Sequence, residues 1–262
     1  MNLNLKGKTA ILLGSSKGIG FGVARELLAE GARIIISSRS RTNLDSAEKQ
    51  LRNEFPGCDL RIFQADTSEK EDILSLINFI EKEFGIVHMI LNNTGGPPSG
   101  EFLKISEDQW EQSFESLLMS TVRIINGLFP YLAEDGSSIV NILSRSARMY
   151  LPNLVLSNTF RPAIAGLAKT LSIELGRQNV RINNVCPGII DTERQNELLT
   201  MRSAKEGIEP EIIMSSLIKE IPLGRIGKAQ DLSSLICFLF SQKSSYITGQ
   251  TIIVDGGNVK SI

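Results

Sequence analysis

The sequence predicts an α/β fold built on a doubly wound parallel sheet, and three observations lead there. Short, continuous apolar runs alternate with stretches whose apolar residues recur at helical spacing. Strands that are apolar throughout, separated by helical patterns, belong to a parallel sheet covered on both faces. A glycine-rich turn joins the first strand to the first helix, and no Pro/Gly/Ser-rich linker interrupts the alternation, so residues 1–262 read as a single domain.

The elements follow in order. Thr9–Leu13 is the first apolar run, and Gly14–Gly20 is the turn. Phe21–Gly31 is helical in pattern, with Val23, Ala24, Leu27 and Leu28 on one face and Gly31 as the stop. Arg33–Ser37 is the second strand. Strand Asp59–Gln64 is followed by helix Lys70–Phe84, and strand His88–Leu91 by helix Glu107–Leu132. Strand Ser138–Leu143 precedes helix Pro162–Gly176, strand Arg181–Val185 precedes helix Ala229–Phe240, and Thr251–Val254 closes the series. The polar, helical stretch Asp191–Ile221 breaks the rhythm and reads as a substrate lid. Right-handed crossovers between parallel strands make the predicted sheet Rossmann-type.

Composition bounds the chemistry. With 28 Lys+Arg against 29 Asp+Glu the net charge is -1, which argues against nucleic acid or an anionic membrane surface as partner. The longest apolar stretch, near Leu235–Phe240, falls far short of the roughly 20 residues of a membrane helix. Cys58, Cys186 and Cys237 form no CxxC pair and read as reduced thiols of a cytoplasmic protein. One histidine, His88, and three tyrosines, Tyr131, Tyr150 and Tyr246, argue against a Ser-His-Asp triad or a His-rich metal site.

The turn reads Gly14-Ser15-Ser16-Lys17-Gly18-Ile19-Gly20. Its glycines let the backbone approach a pyrophosphate, and the helix behind it supplies amide donors and a positive dipole end. The plainer alternative is a turn and nothing more. The second strand ends Ser37-Ser38-Arg39-Ser40-Arg41, without the acidic residue that would bond a ribose diol. Arg39 offers a planar fork and Lys17 a point charge for a 2′-phosphate, which favours NADP(H) over NAD(H); the alternative is two solvated surface cations.

Further segments follow successive strands: Asn92-Asn93-Thr94-Gly95, Asn141-Ile-Leu-Ser144, Pro187-Gly188-Ile-Ile-Asp-Thr192, Pro222-Leu-Gly-Arg225-Ile-Gly227 and Thr248-Gly-Gln…Val254-Asp-Gly-Gly257. In order and spacing the chain resembles the short-chain dehydrogenase/reductase family, most of all its 3-oxoacyl-acyl-carrier-protein reductase-like branch, over nearly its whole length. The resemblance implies that Gly14, Ser16, Lys17, Gly18, Ile19 and Gly20 hold the dinucleotide phosphates. It implies that Asp66 contacts the adenine and that Asn92 and Gly95 stand beside the cofactor. Pro187, Gly188, Ile190 and Thr192 would flank the nicotinamide. Asp66 as a helix N-cap and Pro187-Gly188 as a simple turn are the alternatives. The resemblance also implies a homotetramer joined through the helices of Glu107–Leu132 and Pro162–Gly176.

The family's chemistry uses a Ser that bonds the substrate carbonyl, a Tyr that moves the proton, a Lys that lowers the Tyr pKa and an Asn that positions a water. Ser144 matches the Ser; Ser157, Arg161 and Leu117 stand where the Tyr, Lys and Asn belong, and Leu13 where the turn usually has Thr. The spacing Tyr-x6-Lys of related enoyl reductases also fails, because Leu154 lies seven residues before Arg161. Serine is a far poorer acid than phenol, and arginine does not relay protons near neutral pH. Pro162 suits a first helical turn, which places the helix start near Arg161 and Ser157 in a loop. Tyr150 is a substitute acid if it points into the cleft beside Arg145, Arg148 or Arg161; otherwise it packs at a rim. His88 reads as a satisfied edge or core residue.

Two functions follow. One is an NADP(H)-dependent oxidoreductase of a carbonyl, alcohol or 3-oxoacyl substrate, with Ser144, Ser157 and Arg161 as an atypical catalytic set. The other is a catalytically silent NADP(H)-binding protein, or the inactive partner of a hetero-oligomer.

Overall fold

The computed structural model describes residues 2–260. All seven predicted strands are present: β1 Thr9–Leu13, β2 Arg33–Ser38, β3 Leu60–Gln64, β4 Met89–Asn93, β5 Ser137–Ile142, β6 Val180–Pro187 and β7 Thr251–Val254. They pair in parallel, in the order β3-β2-β1-β4-β5-β6-β7. The chain therefore starts at the centre, winds to one edge, returns and winds to the other.

Strand periodicity divides the core. Leu12, Ile34, Ile36, Leu91, Val140 and Val185 face one layer, packed against Val23, Leu27, Leu232 and Ile236. These come from α1 (Gly18–Ala29) and, later in the chain, Ala229–Phe240. Their strand neighbours Ile11, Leu13, Ile35, Ile90, Ile139 and Ile182 face the other layer. The alternation of faces along each strand explains why every strand residue can be apolar.

Three places differ from the sequence reading. A helix, α2 (Arg41–Glu54), lies between β2 and β3 where none is predicted. Only Leu44, Ala47 and Leu51 bury, a stripe too thin to stand out; the Ser40 hydroxyl caps it by accepting from the Asn43 amide. After α3 (Lys70–Glu83), the predicted long helix is interrupted: α4 (Glu107–Ser113) and α5 (Ser120–Leu128) flank a π-helical turn, Phe114–Met119. Next, α6 runs Val155–Glu174, so Pro162 is internal and Ser157 is helical rather than in a loop. An internal proline costs about 3 kcal/mol, but Leu156, Phe160 and Ile164 are buried on this helix, each worth about 1.5–3 kcal/mol. Burial wins. The polar stretch after β6, helical in pattern in the sequence too, forms two helices, α7 (Glu193–Glu206) and α8 (Pro210–Lys219), before α9 (Ala229–Phe240).

Candidate active site

The loops at the carboxyl ends of β1 to β6 leave the same edge of the parallel sheet, and they carry most of the predicted residues. At the centre of that edge the glycine turn is forced into shape by contact. A Cβ on Gly14 would stand 2.2 Å from the Asn93 carbonyl oxygen, and one on Gly20 would stand 2.7 Å from the Gly14 oxygen. The Asn93 amide fixes the turn by donating to the Gly14 carbonyl at 2.7 Å. Ser15 is turned inward, its hydroxyl donating to Leu12 O at 2.6 Å and accepting from the Ser37 amide at 3.3 Å. The N-terminus of α1 has no side-chain cap, so the amides of Gly18, Ile19 and Gly20 keep their donors for a ligand. Ser16 and Ile19 are half-buried beside them.

Arg39 lies exposed just past β2, where no acidic residue stands. Lys17 is exposed too, but its ammonium is 2.6 Å from Glu193 at the start of α7. Asp66 is not the cap of α3, a place taken by Glu69. Instead one of its carboxylate oxygens accepts from the Ser68 amide at 3.0 Å and hydroxyl at 2.7 Å.

Below the cleft a polar ladder crosses the sheet. Asn92 pairs in register with Asn141, Asn141 with Asn184, and Asn184 with Thr251. Each side-chain amide donates to the next residue: Asn92 to Asn141 at 2.8 Å, Asn141 to Asn184 at 2.8 Å, and Asn184 to Thr251 at 3.1 Å. The Asn92 Oδ1 at the near end is buried without a partner. Continuing the β1–β4 register by one residue sets the apolar Leu13 beside it, where a hydroxyl would have supplied a donor.

The Ser144 hydroxyl accepts from the Ser146 amide at 3.2 Å, which leaves its own proton free to donate. Ser157, 5 % exposed, shares a 2.8 Å hydroxyl–hydroxyl bond with Ser146. Ser146 thus stands between the two predicted serines. Arg161, also 5 % exposed, reaches across to donate to Ile142 O at 2.9 Å and Gly95 O at 3.3 Å. Its Nε is buried and unpartnered. Burial pushes the guanidinium down to about 10, so it is still a cation at neutral pH. Only an ionised Cys186 would favour that cation, and burial pushes its thiol up to about 11, against the pull of the Ser144 backbone, Arg161 and Arg148. Leu117 is fully buried in the π-helical turn, and its carbonyl accepts from Ser120 at 3.2 Å and Thr121 at 2.9 Å. The Ser120 hydroxyl has its nearer acceptor in Ser116 O at 2.7 Å, and the apolar Leu117 side chain has no polar atom to hold a water.

Pro187 ends β6, and the Gly188 amide donates to Val254 O at 2.8 Å. Ile190 is buried and bridges to Gly227. The Thr192 hydroxyl caps α7 by accepting from the Gln195 amide at 3.3 Å.

Two candidates stand outside the contacts just described. Tyr150 is 75 % exposed, and Arg145 turns instead to Asn258. His88 precedes β4, at the opposite end of the sheet, where its Nδ1 accepts from the Thr9 amide at 3.1 Å. Five residues that the sequence reading did not assign join the site: Asn93, Asn141, Ser146, Cys186 and Glu193. Asn141 had a signal, a polar residue closing an apolar strand; the others are visible only in three dimensions.

Sheet order, glycine turn and cleft together define a Rossmann-type dinucleotide fold with its site at the carboxyl edge. A family model described as enoyl-(acyl carrier protein) reductase matches residues 14–258. Dehydrogenase/reductase SDR family member 4 of Caenorhabditis elegans is 33% identical over 258 residues, 96% of this chain and 95% of that one. The 3-oxoacyl-[acyl-carrier-protein] reductase of Thermotoga maritima is 28% identical over 258 residues, covering 98% and 100% of the two chains. Among solved structures, L-sorbose reductase from Gluconobacter frateurii, complexed with NADPH and L-sorbose, superposes with a TM-score of 0.95 at 27% identity, covering 100% of both chains. An NADPH-bound short-chain oxidoreductase from Pseudomonas aeruginosa PAO1, described as containing an atypical catalytic center, gives 0.88 at 25% identity over 97% and 98%. The chain belongs to the short-chain dehydrogenase/reductase family of oxidoreductases. No helix among the described residues is long and apolar enough to cross a membrane.

Proposed function

We propose that this protein is an NADP(H)-dependent oxidoreductase that interconverts a carbonyl and an alcohol through an atypical centre formed by Ser144, Ser157 and Arg161. The carrying observation is the cofactor cradle: a turn that a Cβ would fill, uncapped amides behind it, and an exposed Arg39 at a strand end without an acid. NADPH in the related L-sorbose reductase and Pseudomonas aeruginosa structures supports the same cofactor. In this reading Gly14, Ser16, Gly18, Ile19 and Gly20 face the pyrophosphate, and Arg39 and Lys17 the 2′-phosphate. Asp66 faces the adenine through its unoccupied oxygen. Asn92, Gly95, Pro187, Gly188, Ile190 and Thr192 shape the nicotinamide end, and the α7–α8 segment within 191–221 is the lid.

When bound, the dinucleotide supplies or accepts the hydride at the carbonyl carbon. Ser144 donates its free hydroxyl proton to the substrate oxygen as a hydrogen bond. Arg161 holds a fixed, buried positive charge, which favours negative charge growing on that oxygen. Ser157 is a positioning residue: through Ser146 it holds the loop that aims Ser144. The proton is drawn from solvent rather than from a titrating side chain. The proposed assembly is a homotetramer, supported by the exposed Phe114, Phe129 and Ile173 on the α4–α6 side; light scattering after size exclusion reads it.

The test is NADPH titration followed by turnover on a panel of ketones, sugars and 3-oxoacyl thioesters. Binding with turnover that is lost in Ser144→Ala is the expected result. A second reading, nucleotide binding without turnover, is favoured by the burial of Ser157 against Ser146. Binding with no turnover across the panel would select it.

A further inference from the structure

Lys17 is the residue before α1, and Glu193 is the first residue of α7. They lie 176 residues apart in sequence, yet Lys17 Nζ donates to Glu193 Oε2 at 2.6 Å. The contact spans the glycine turn. Thr192, just before Glu193, sets its methyl 3.3 Å from where a Cβ on Gly18 would stand, so the start of α7 leans on the turn itself. Both side chains are open to water, 48 % exposed for Lys17 and 67 % for Glu193, which makes the pair weak and exchangeable. Glu193 loses little when it lets go. It sits in the first turn of α7, where the helix dipole favours a carboxylate in any case.

This inference rests on the NADP(H) reading above. We infer that Glu193 is a specificity-determining residue for the cofactor: it holds Lys17 in the cofactor-free protein, and the 2′-phosphate of NADP(H) takes Lys17 from it and frees the start of α7. A phosphate monoester carries about 1.5–2 negative charges at neutral pH against the single charge of the carboxylate, so it wins the competition for one ammonium. NADH has no such group and leaves the pair in place, so Glu193 weighs on NADP(H) binding alone. Arg39 has no ion pair among the described residues and is ready for the same phosphate; Lys17 alone is bound to a competitor.

The experiment titrates the full chain with NADPH and with NADH, in four forms: wild type, Glu193→Gln, Lys17→Met and the double variant. Hydrogen exchange across Glu193–Glu206 is followed in the cofactor-free proteins. Removing an exposed ion pair predicts that Glu193→Gln tightens NADPH by about two- to fivefold and tightens NADH less. The gain disappears in the Lys17→Met background, and exchange in the first turn of α7 quickens in both single variants. Equal tightening of both nucleotides, a gain that survives Lys17→Met, or unchanged exchange would overturn the inference while the NADP(H) reading stands. A wild type that does not bind NADPH removes both.

Discussion

The glycine turn and the Ser144–Arg161 cluster lie in the same cleft but differ in physical character. The turn is backbone held open: uncapped amides, exposed cations, and glycines where nothing else fits. The cluster is closed, with Ser157 and Arg161 both buried. Ser157 is spent on Ser146, Arg161 is held by two carbonyls, and the Leu117 carbonyl accepts from Thr121. Binding a dinucleotide needs donors and shape, which the first region has. Moving a proton at neutral pH needs a group that titrates near there, which the second lacks. The two tasks are separable, and the proposed function gives this chain the first while drawing the proton for the second from solvent.

The largest effect comes from changing the cluster toward the family pattern. Ser157→Tyr with Arg161→Lys returns a phenol beside an ammonium, and a positioned acid is worth about 10²–10⁴-fold. Steady-state turnover with NADPH is expected to rise by at least the lower figure. An unchanged rate would mean that the buried Leu117 and closed π-helical turn, not the missing acid, limit the chemistry.

Next comes the turn. Gly20→Val drives side-chain carbon into the Gly14 carbonyl and is expected to weaken NADPH by about a hundredfold, a strain of about 1–3 kcal/mol. Calorimetry checks it. Retained affinity would mean that the cofactor lies elsewhere.

The ladder beneath both regions is the third target. Asn141→Leu orphans the Asn92 amide and the Asn184 oxygen together. An expected loss of about 2–5 kcal/mol in urea unfolding follows from two buried unsatisfied groups. A loss under 1 kcal/mol would show that the ladder is not holding the strand ends in register.

The smallest effect belongs to His88. Burial lowers its pKa, with Lys8 and Arg33 acting in the same direction and Asp135 opposing. The unfolded chain therefore binds the proton more readily, and the native state loses stability as pH falls through the lowered pKa. The His88→Gln variant is expected to show a flatter stability curve between about pH 5 and 7 with turnover unchanged. Altered turnover would return His88 to the site.

Much of this was legible in the chain before any coordinates. Apolar runs located all seven strands, and the segments quoted after β1, β4, β5 and β6 lie at the carboxyl edge of the sheet, while Thr248–Gln250 lead into the amino end of β7. What was not legible has three causes. The α2 stripe of Leu44, Ala47 and Leu51 is too thin to rise above its polar surroundings. At α6, Pro162 points to a late start, because a local preference is visible in sequence and the tertiary burial that overrides it is not. Contacts such as Ser146 with Ser157, or Lys17 with Glu193, join residues whose spacing carries no period.

The central claim is that no side chain in the catalytic cluster titrates near neutrality, with Arg161 at about 10 and Cys186 at about 11. The pH dependence of kcat for NADPH-driven carbonyl reduction tests it most directly. A profile flat within about twofold from pH 6 to 9 is the predicted result. A sigmoid or bell with an apparent pKa inside that window would contradict it, and would mean that an acid in the cleft carries the proton after all.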